Sequence, residues 1–95
     1  MYKYKLSNQA KDDLIRIHRY GVKKFGVVQA DKYFDMFFDY FEKIAENPYS
    51  FESIENIRKG YRRCVCGVDS IYYKLYENQV EIIAIIGRQD IINKL

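Results

Sequence analysis

Residues 60–86 have the pattern of three short strands in succession, and this pattern limits the fold more than any other feature of the sequence. Strand-like residues occupy positions 60–67, 69–76 and 79–86, and the turn signals Gly67 and Glu77-Asn78 separate them. Turns this short join neighbouring antiparallel strands, so the pattern predicts two hairpins in a three-stranded meander. The last strand is apolar on both faces, which predicts a central position with helices covering one side and other residues partly covering the second.

Two amphipathic helices are predicted before the meander. Ser7 is a favourable N-cap, apolar residues recur at helical spacing up to about Phe25, and Gly26 is the expected stop. A second helix is predicted from about residue 28 to residue 46, with an aromatic face, an acidic face and Asn47-Pro48 as its end. Because the break between the helices is so short, they should form an antiparallel hairpin.

Together these segments predict one α+β domain over residues 1–95. The order is β-α-α-β-β-β, beginning with a short strand at Tyr2–Leu6 whose lysines share one face. The helical hairpin is expected to pack on an antiparallel sheet, and residues 90–95 are expected to add a short helical turn. A chain of this size buries only about two thirds of its unfolded surface, which favours a two-layer core.

Residues that are absent or scarce exclude several classes of function. His18 is the only histidine, and neither GxSxG nor a glycine-rich nucleotide-binding loop is present, so common hydrolase and nucleotide sites are not indicated. In a strand, Cys64 and Cys66 would point the same way about 7 Å apart, too far for an unstrained disulfide. We expect two reduced, buried thiols in a cytoplasmic protein, with no metal and no other cofactor. No apolar run approaches the roughly 18 residues of a membrane span, and the N-terminus lacks signal-peptide features.

Several basic residues lie in the predicted strands or directly after them. Arg62 and Arg63 are adjacent in one strand and should therefore point to opposite faces. Lys74 lies in the next strand and Arg88 follows the third, so one of the two arginines should join them at one end of the exposed face. The set is suited to a phosphate, a nucleic acid or an acidic protein surface, or it consists of ordinary solubilising cations; spacing alone favours neither interpretation.

Several short motifs occur in an order that is similar to one protein family. In the first half they are Leu6-Ser7 before Ala10 and Leu14, then Phe25-Gly26, Gln29-Ala30 and Ala45-Glu46-Asn47-Pro48. In the second half they are the segments 56–63, 71–74, 80–83 and 87–90. This ordered set resembles the ParE toxins of bacterial toxin–antitoxin modules, within the wider RelE/ParE superfamily. The resemblance implies the fold predicted above, a ParD-like antitoxin whose C-terminal segment wraps the toxin, and DNA gyrase as a target that is inhibited by binding and without enzymatic activity.

The resemblance also directs attention to two surfaces. The target-binding surface is expected to contain Arg62, Arg63, Lys74, Arg88 and Asp90. Catalytic residues are not expected, nor is sequence-specific DNA binding by this chain alone. The antitoxin is expected on apolar side chains, because a disordered partner needs anchors that offset its ordering cost. These candidates are Ile15, Val22, Phe38, Ile82 and Ile86.

Two alternatives remain at the level of sequence. The first is a RelE-type mRNA endonuclease that acts on the ribosome, which needs cations at the scissile phosphate and an acid–base ring near the C-terminus. This chain has Ile91 and Ile92 in that region, which disfavours the nuclease. The second is an interaction module that binds its antitoxin and harms no cell.

Overall fold

The computed structural model describes residues 2–87, and its elements follow the predicted order. The helices are α1 (Asn8–Phe25) and α2 (Val27–Glu46), with a 3₁₀ turn at Pro48–Ser50. The strands are β1 (Lys3–Leu6), β2 (Glu52–Ser53), β3 (Tyr61–Cys66), β4 (Asp69–Tyr76) and β5 (Gln79–Gly87). The α+β prediction is therefore confirmed, while the helical turn predicted at residues 90–95 lies outside the described part of the chain.

Local sequence signals set the helical hairpin. The Ser7 hydroxyl accepts a hydrogen bond from the Ala10 amide at 3.0 Å, which caps α1. Gly26 separates the helices by one residue and has a φ of 90°, a conformation that favours glycine. The helices then approach closely enough that a Cβ atom on Gly21 would stand 3.2 Å from that of Ala30.

The five strands form one sheet in the order β1-β5-β4-β3-β2. The predicted meander β3-β4-β5 is antiparallel, and β5 is central as expected. Two pairings go beyond the prediction. β1 joins β5 in parallel, so the sheet is mixed, and β2 adds a two-residue edge strand between α2 and β3.

A β-bulge interrupts the pairing of β4 with β5. Tyr72 pairs with Ala84 and Tyr73 pairs with Ile82, so Ile83 is the extra residue. Ile82 and Ile85 consequently pack with the helices, while Ile83, Ala84 and Ile86 belong to a second cluster on the opposite face.

Most of the core lies between the helices and one face of the sheet. Phe37, Phe41 and Ile44 of α2 are fully buried against the sheet residues Ile71 and Tyr73. The second cluster, around Ile54 and Tyr72, lies on the face away from the helices, which we call the open face.

One structural role was not predicted from the sequence. β1 ends at Leu6, so beyond Ile82 the edge of β5 that faces away from β4 has no strand neighbour, and side chains take over that edge. The Ser7 hydroxyl donates to the Ile83 carbonyl at 2.7 Å, and the Asp13 carboxylate accepts from the Ile85 amide at 2.9 Å. Arg16 donates to the Ile85 carbonyl at 3.2 Å. Although Asp13 stands near the start of a surface helix, its side chain is buried against the sheet and is only 5% exposed.

Candidate functional site

The strand register places the predicted basic residues on definite faces. Cys64 and Cys66 face the helices, so Arg62 lies on that side and Arg63 on the open face, as strand alternation predicts. Lys74 pairs with Tyr61 and therefore also lies on the open face, two residues along β4 from Tyr72, which pairs with Arg63. Arg63 is thus the arginine that shares a face with Lys74.

Arg63 is held firmly on the open face. Its Nε and Nη2 atoms donate to Glu52 Oε1 at 3.0 and 2.7 Å. This hydrogen bonding raises the pKa of the guanidinium above its ordinary value. Because Glu52 partly neutralises Arg63, this residue offers less net charge to a partner than its position suggests.

Arg62 has a different environment at the sheet rim. Its Nη1 atom donates to the carbonyls of Phe51 at 2.7 Å and Tyr49 at 3.4 Å, and its guanidinium lies 5.1 Å from the centre of the Tyr49 ring. These contacts fasten the loop that follows α2. Arg62 is therefore separated from Arg63 and Lys74 by the sheet itself.

Two other predicted members of this surface, Arg88 and Asp90, lie outside the described residues.

The apolar residues that were expected to contact the partner divide into two groups. Ile15 is 49% exposed and Val22 is 37% exposed on α1, while Phe38 is half-buried between Phe34 and Phe41. In contrast, Ile82 is fully buried under the helices and Ile86 is 3% exposed in the second cluster. A strand that is apolar on both faces was interpreted as partly available to a partner, but both faces of β5 are covered, so these two isoleucines cannot form a free surface.

The structure reveals exposed apolar residues that the sequence analysis did not identify. Tyr20 and Phe25, near the end of α1, and Val68, in the β3–β4 turn, are each more than half exposed. They line a cavity of about 650 Å³ whose wall also contains Arg16 and Asp69. For Val68 the sequence signal was an apolar side chain in a turn, where polar residues are usual; Tyr20 and Phe25 lie in α1 and had no such signal.

Possible catalytic groups are engaged in structural contacts. His18 Nε2 lies 2.7 Å from Asp31 Oδ1 and the imidazole stands edge-on to Phe34, so this histidine links α1 to α2. Burial raises the pKa of Cys64 to about 11 and that of Cys66 to about 12, and both are free thiols. The described residues contain no cluster of three or more His, Cys, Asp or Glu side chains that could hold a metal ion. Neither described helix is long and apolar enough to cross a bilayer.

Comparisons with known proteins agree with this geometry. The sequence model of a family described as "ParE toxin of type II toxin-antitoxin system, parDE" matches residues 4–92. Toxin ParE1 of Caulobacter vibrioides is 40% identical over 86 residues, which span 90% of this chain and 88% of that protein. A solved structure described as "Chromosomal ParDE TA system from P. aeruginosa" is similar in fold, with a TM-score of 0.82 at 17% identity, covering 92% of this chain and 96% of the other.

Proposed function

Because the chain belongs to the ParE toxin family of type II toxin–antitoxin systems, we propose that it inhibits DNA gyrase by binding and is neutralised by a ParD-like antitoxin in the cytoplasm. The observation that carries the proposal is the family match over residues 4–92, supported by a named toxin at 40% identity. The geometry of the described residues suits a binding protein, since Arg62 and Arg63 are restrained by hydrogen bonds to neighbouring groups.

The proposed target contact includes the open face. Arg63 and Lys74 lie on that face, and Arg62 supports its rim through Phe51. Arg62 and Arg63 are already restrained in the free protein, so their side chains lose less conformational entropy when a partner binds. Arg88 and Asp90 belong to the same proposed contact on the basis of the family resemblance.

The test for gyrase uses the purified chain, gyrase and a supercoiled plasmid. We expect DNA cleaved by gyrase to accumulate when the reaction is stopped with a protein denaturant, and we expect Arg63→Ala to require a higher concentration for the same effect. Lys11→Ala, an exposed lysine on α1, is the matched control. If saturating wild-type protein leaves gyrase cleavage unchanged, the gyrase proposal is wrong. A cut in ribosome-bound mRNA under translation conditions would instead favour the nuclease alternative.

The proposed antitoxin contact is the exposed apolar part of the helical hairpin. Ile15 and Val22 lie on its surface, and a separate cavity at the end of α1 presents Tyr20 and Phe25. Apolar anchors of this kind offset the ordering cost of a segment that folds on binding.

Co-expression with the product of the neighbouring reading frame tests this contact. We expect Ile15→Asp and Val22→Asp to reduce co-purification by at least about tenfold, since burying a charge opposes an apolar contact. Tyr76→Asp replaces another exposed large side chain, 62% exposed at the far end of β4, and should leave co-purification intact. Equal losses in all three variants would contradict the assignment, as would no loss in the two hairpin variants.

A further inference from the structure

The edge of β1 that faces away from β5 carries backbone groups without a strand neighbour. The Ser7 amide, directly after β1, donates to the Ile82 carbonyl of β5 at 2.9 Å. Backbone groups alternate in direction along a strand, so Lys5 also bonds toward β5, while Tyr4 and Leu6 point their N–H and C=O groups away from it. Because β1 is an end strand of the sheet, these groups lie at its outer edge.

An independent contact confirms this outward direction. The Tyr2 amide, two residues before Tyr4, donates to the Ala45 carbonyl at the end of α2 at 2.9 Å. Within residues 2–87, neither Tyr4 nor Leu6 takes part in a backbone hydrogen bond outside regular strand pairing. Such an edge is a template for an extended segment, because a second strand matches its alternating donors and acceptors.

Lysines line the open-face side of this edge. Tyr4 packs against Phe41 on the helix side, with 5.5 Å between the ring centres. Lys3 and Lys5 therefore project from the open face, where both are exposed, and among residues 2–87 neither forms an ion pair within 4.0 Å. Glu81 of β5 pairs with Lys5 on the side away from the edge. The backbone of a residue added opposite Lys5 would be about 5 Å from that of Lys5 and about 10 Å from that of Glu81, which favours an acidic side chain there.

The helix side of the same edge favours apolar side chains. Phe38 is half-buried and stands edge-on to Phe41, with 5.3 Å between the ring centres, so part of its ring is exposed beside the end strand. Burial and the nearby Glu42 carboxylate raise the pKa of Tyr4, which places an acid on this side. An acidic residue of an added strand would be repelled here, whereas an apolar residue could cover Phe38.

We propose that an extended segment of the ParD-like antitoxin adds to the sheet along the outer edge of β1. This inference rests on the proposed function, which supplies the partner. The segment pairs with the outward backbone groups of Tyr4 and Leu6. It places acidic side chains beside Lys3 and Lys5 and apolar side chains toward Phe38. A second copy of this chain is a poorer occupant, because antiparallel pairing of two β1 edges would bring the lysines of both copies together.

Amide hydrogen exchange followed by NMR tests the strand pairing directly. It compares the free chain with its complex with the co-expressed product of the neighbouring reading frame. We expect the Tyr4 and Leu6 amides to exchange at least about tenfold more slowly in the complex. The Val65 amide is the matched control, because it lies on the outer edge of β3 beyond the two residues that β2 pairs. Val65 shares the outward direction of Tyr61, whose carbonyl accepts from the Ile54 amide at 2.9 Å, and its exchange rate should not change.

Charge reversal tests the side-chain part of the contact. Lys3→Glu and Lys5→Glu should each raise the dissociation constant for the antitoxin by about fivefold, since an attractive cross-strand pair becomes a repulsive one. Lys59→Glu is the matched control, because Lys59 is an exposed lysine between β2 and β3. An equal loss in Lys59→Glu would show that overall charge decides the affinity and would overturn this part of the inference.

The remaining outcomes separate the inference from the function on which it rests. If the antitoxin binds while Tyr4 and Leu6 exchange as fast as in the free chain, the inference is wrong and neutralisation by an antitoxin stands. Protection of Val65 in place of these two amides would move the added strand to the other edge of the sheet and overturn the inference. Protection of Tyr4 and Leu6 in the concentrated free chain would identify a second copy as the occupant and overturn it too. If the neighbouring product does not bind, the antitoxin proposal and the inference both fail.

Discussion

Replacing Asp13 with alanine should destabilise the protein far more than its place near the start of a surface helix suggests. The Asp13 carboxylate accepts hydrogen bonds from the Ile85 amide at 2.9 Å and from Gln9 Nε2 at 2.8 Å. The bond to Ile85 is buried, and it replaces a ladder bond that β1 is too short to make.

The expected change in the free energy of unfolding is the sum of unfavourable and favourable contributions. Leaving the Ile85 amide buried without a partner costs about 1–3 kcal/mol, and bonds to a charged acceptor lie in the upper part of that range. Arg16 lies 3.6 Å from Asp13 and is 52% exposed, so losing this pair costs less than about 1 kcal/mol. The better helix propensity of alanine returns about 0.6 kcal/mol. We expect a net loss of about 2–3 kcal/mol, which lowers the melting temperature of a chain this size by roughly 10–20 °C.

Thermal and urea unfolding followed by circular dichroism measure this loss. Asp12→Ala is the matched control, because Asp12 is an exposed neighbour on the same helix and should change the melting temperature by less than about 3 °C. Asp13→Asn should fall between the wild type and Asp13→Ala, because its amide oxygen still accepts from Ile85. If Asp13→Ala melts as Asp12→Ala does, the side chain does not stabilise the edge of β5, and our account of this edge is wrong.

Two further predictions concern the β3–β4 turn and the buried thiols. Gly67→Ala should cost about 2–3 kcal/mol, because Gly67 has a φ of 62° and a Cβ atom would stand 2.6 Å from the Tyr33 ring. Gly60→Ala, which also has a positive φ but no atom within 4 Å of the added carbon, should cost only about 1–2 kcal/mol, and equal costs in urea unfolding would contradict the steric argument. The raised pKa values of Cys64 and Cys66 predict that stability falls as pH rises above their ordinary value of 9.0, because thiols ionise in the unfolded chain before they ionise in the folded one. Thiol labelling should therefore be slow in the native protein and should follow unfolding, whereas rapid labelling of folded protein at pH 8 would show that the thiols are accessible.

Features fixed by neighbouring residues could be predicted from the sequence. Ser7 and Gly26 set the ends of α1 through local hydrogen bonds and backbone conformation, so these boundaries were predicted accurately. The opposite directions of Arg62 and Arg63 also follow from strand alternation alone. In each case the physical cause lies within a few residues of the effect.

Features that depend on distant partners could not be predicted in the same way. Asp13 meets Ile85, which is 72 residues away, and no local pattern marks that contact. The pairing of Arg63 with Glu52 requires β2, a strand too short to show any periodicity. Ile82 was mistaken for a surface residue because an apolar strand gives no indication of which face a neighbouring layer covers.

The bulge at Ile83 decides the direction in which each later residue of β5 points its backbone groups and its side chain. Backbone groups alternate in direction along a strand, so one inserted residue exchanges the amides that face each neighbour. This exchange turns the Ile85 amide toward α1, where Asp13 receives it. Ile82 and Ile85 are three residues apart and would face opposite sides of a regular strand, but with the extra residue between them both pack with the helices. One residue in the last strand thus places the Ile82 carbonyl, which the Ser7 amide meets, and the Ile85 amide, which Asp13 meets, along the same edge.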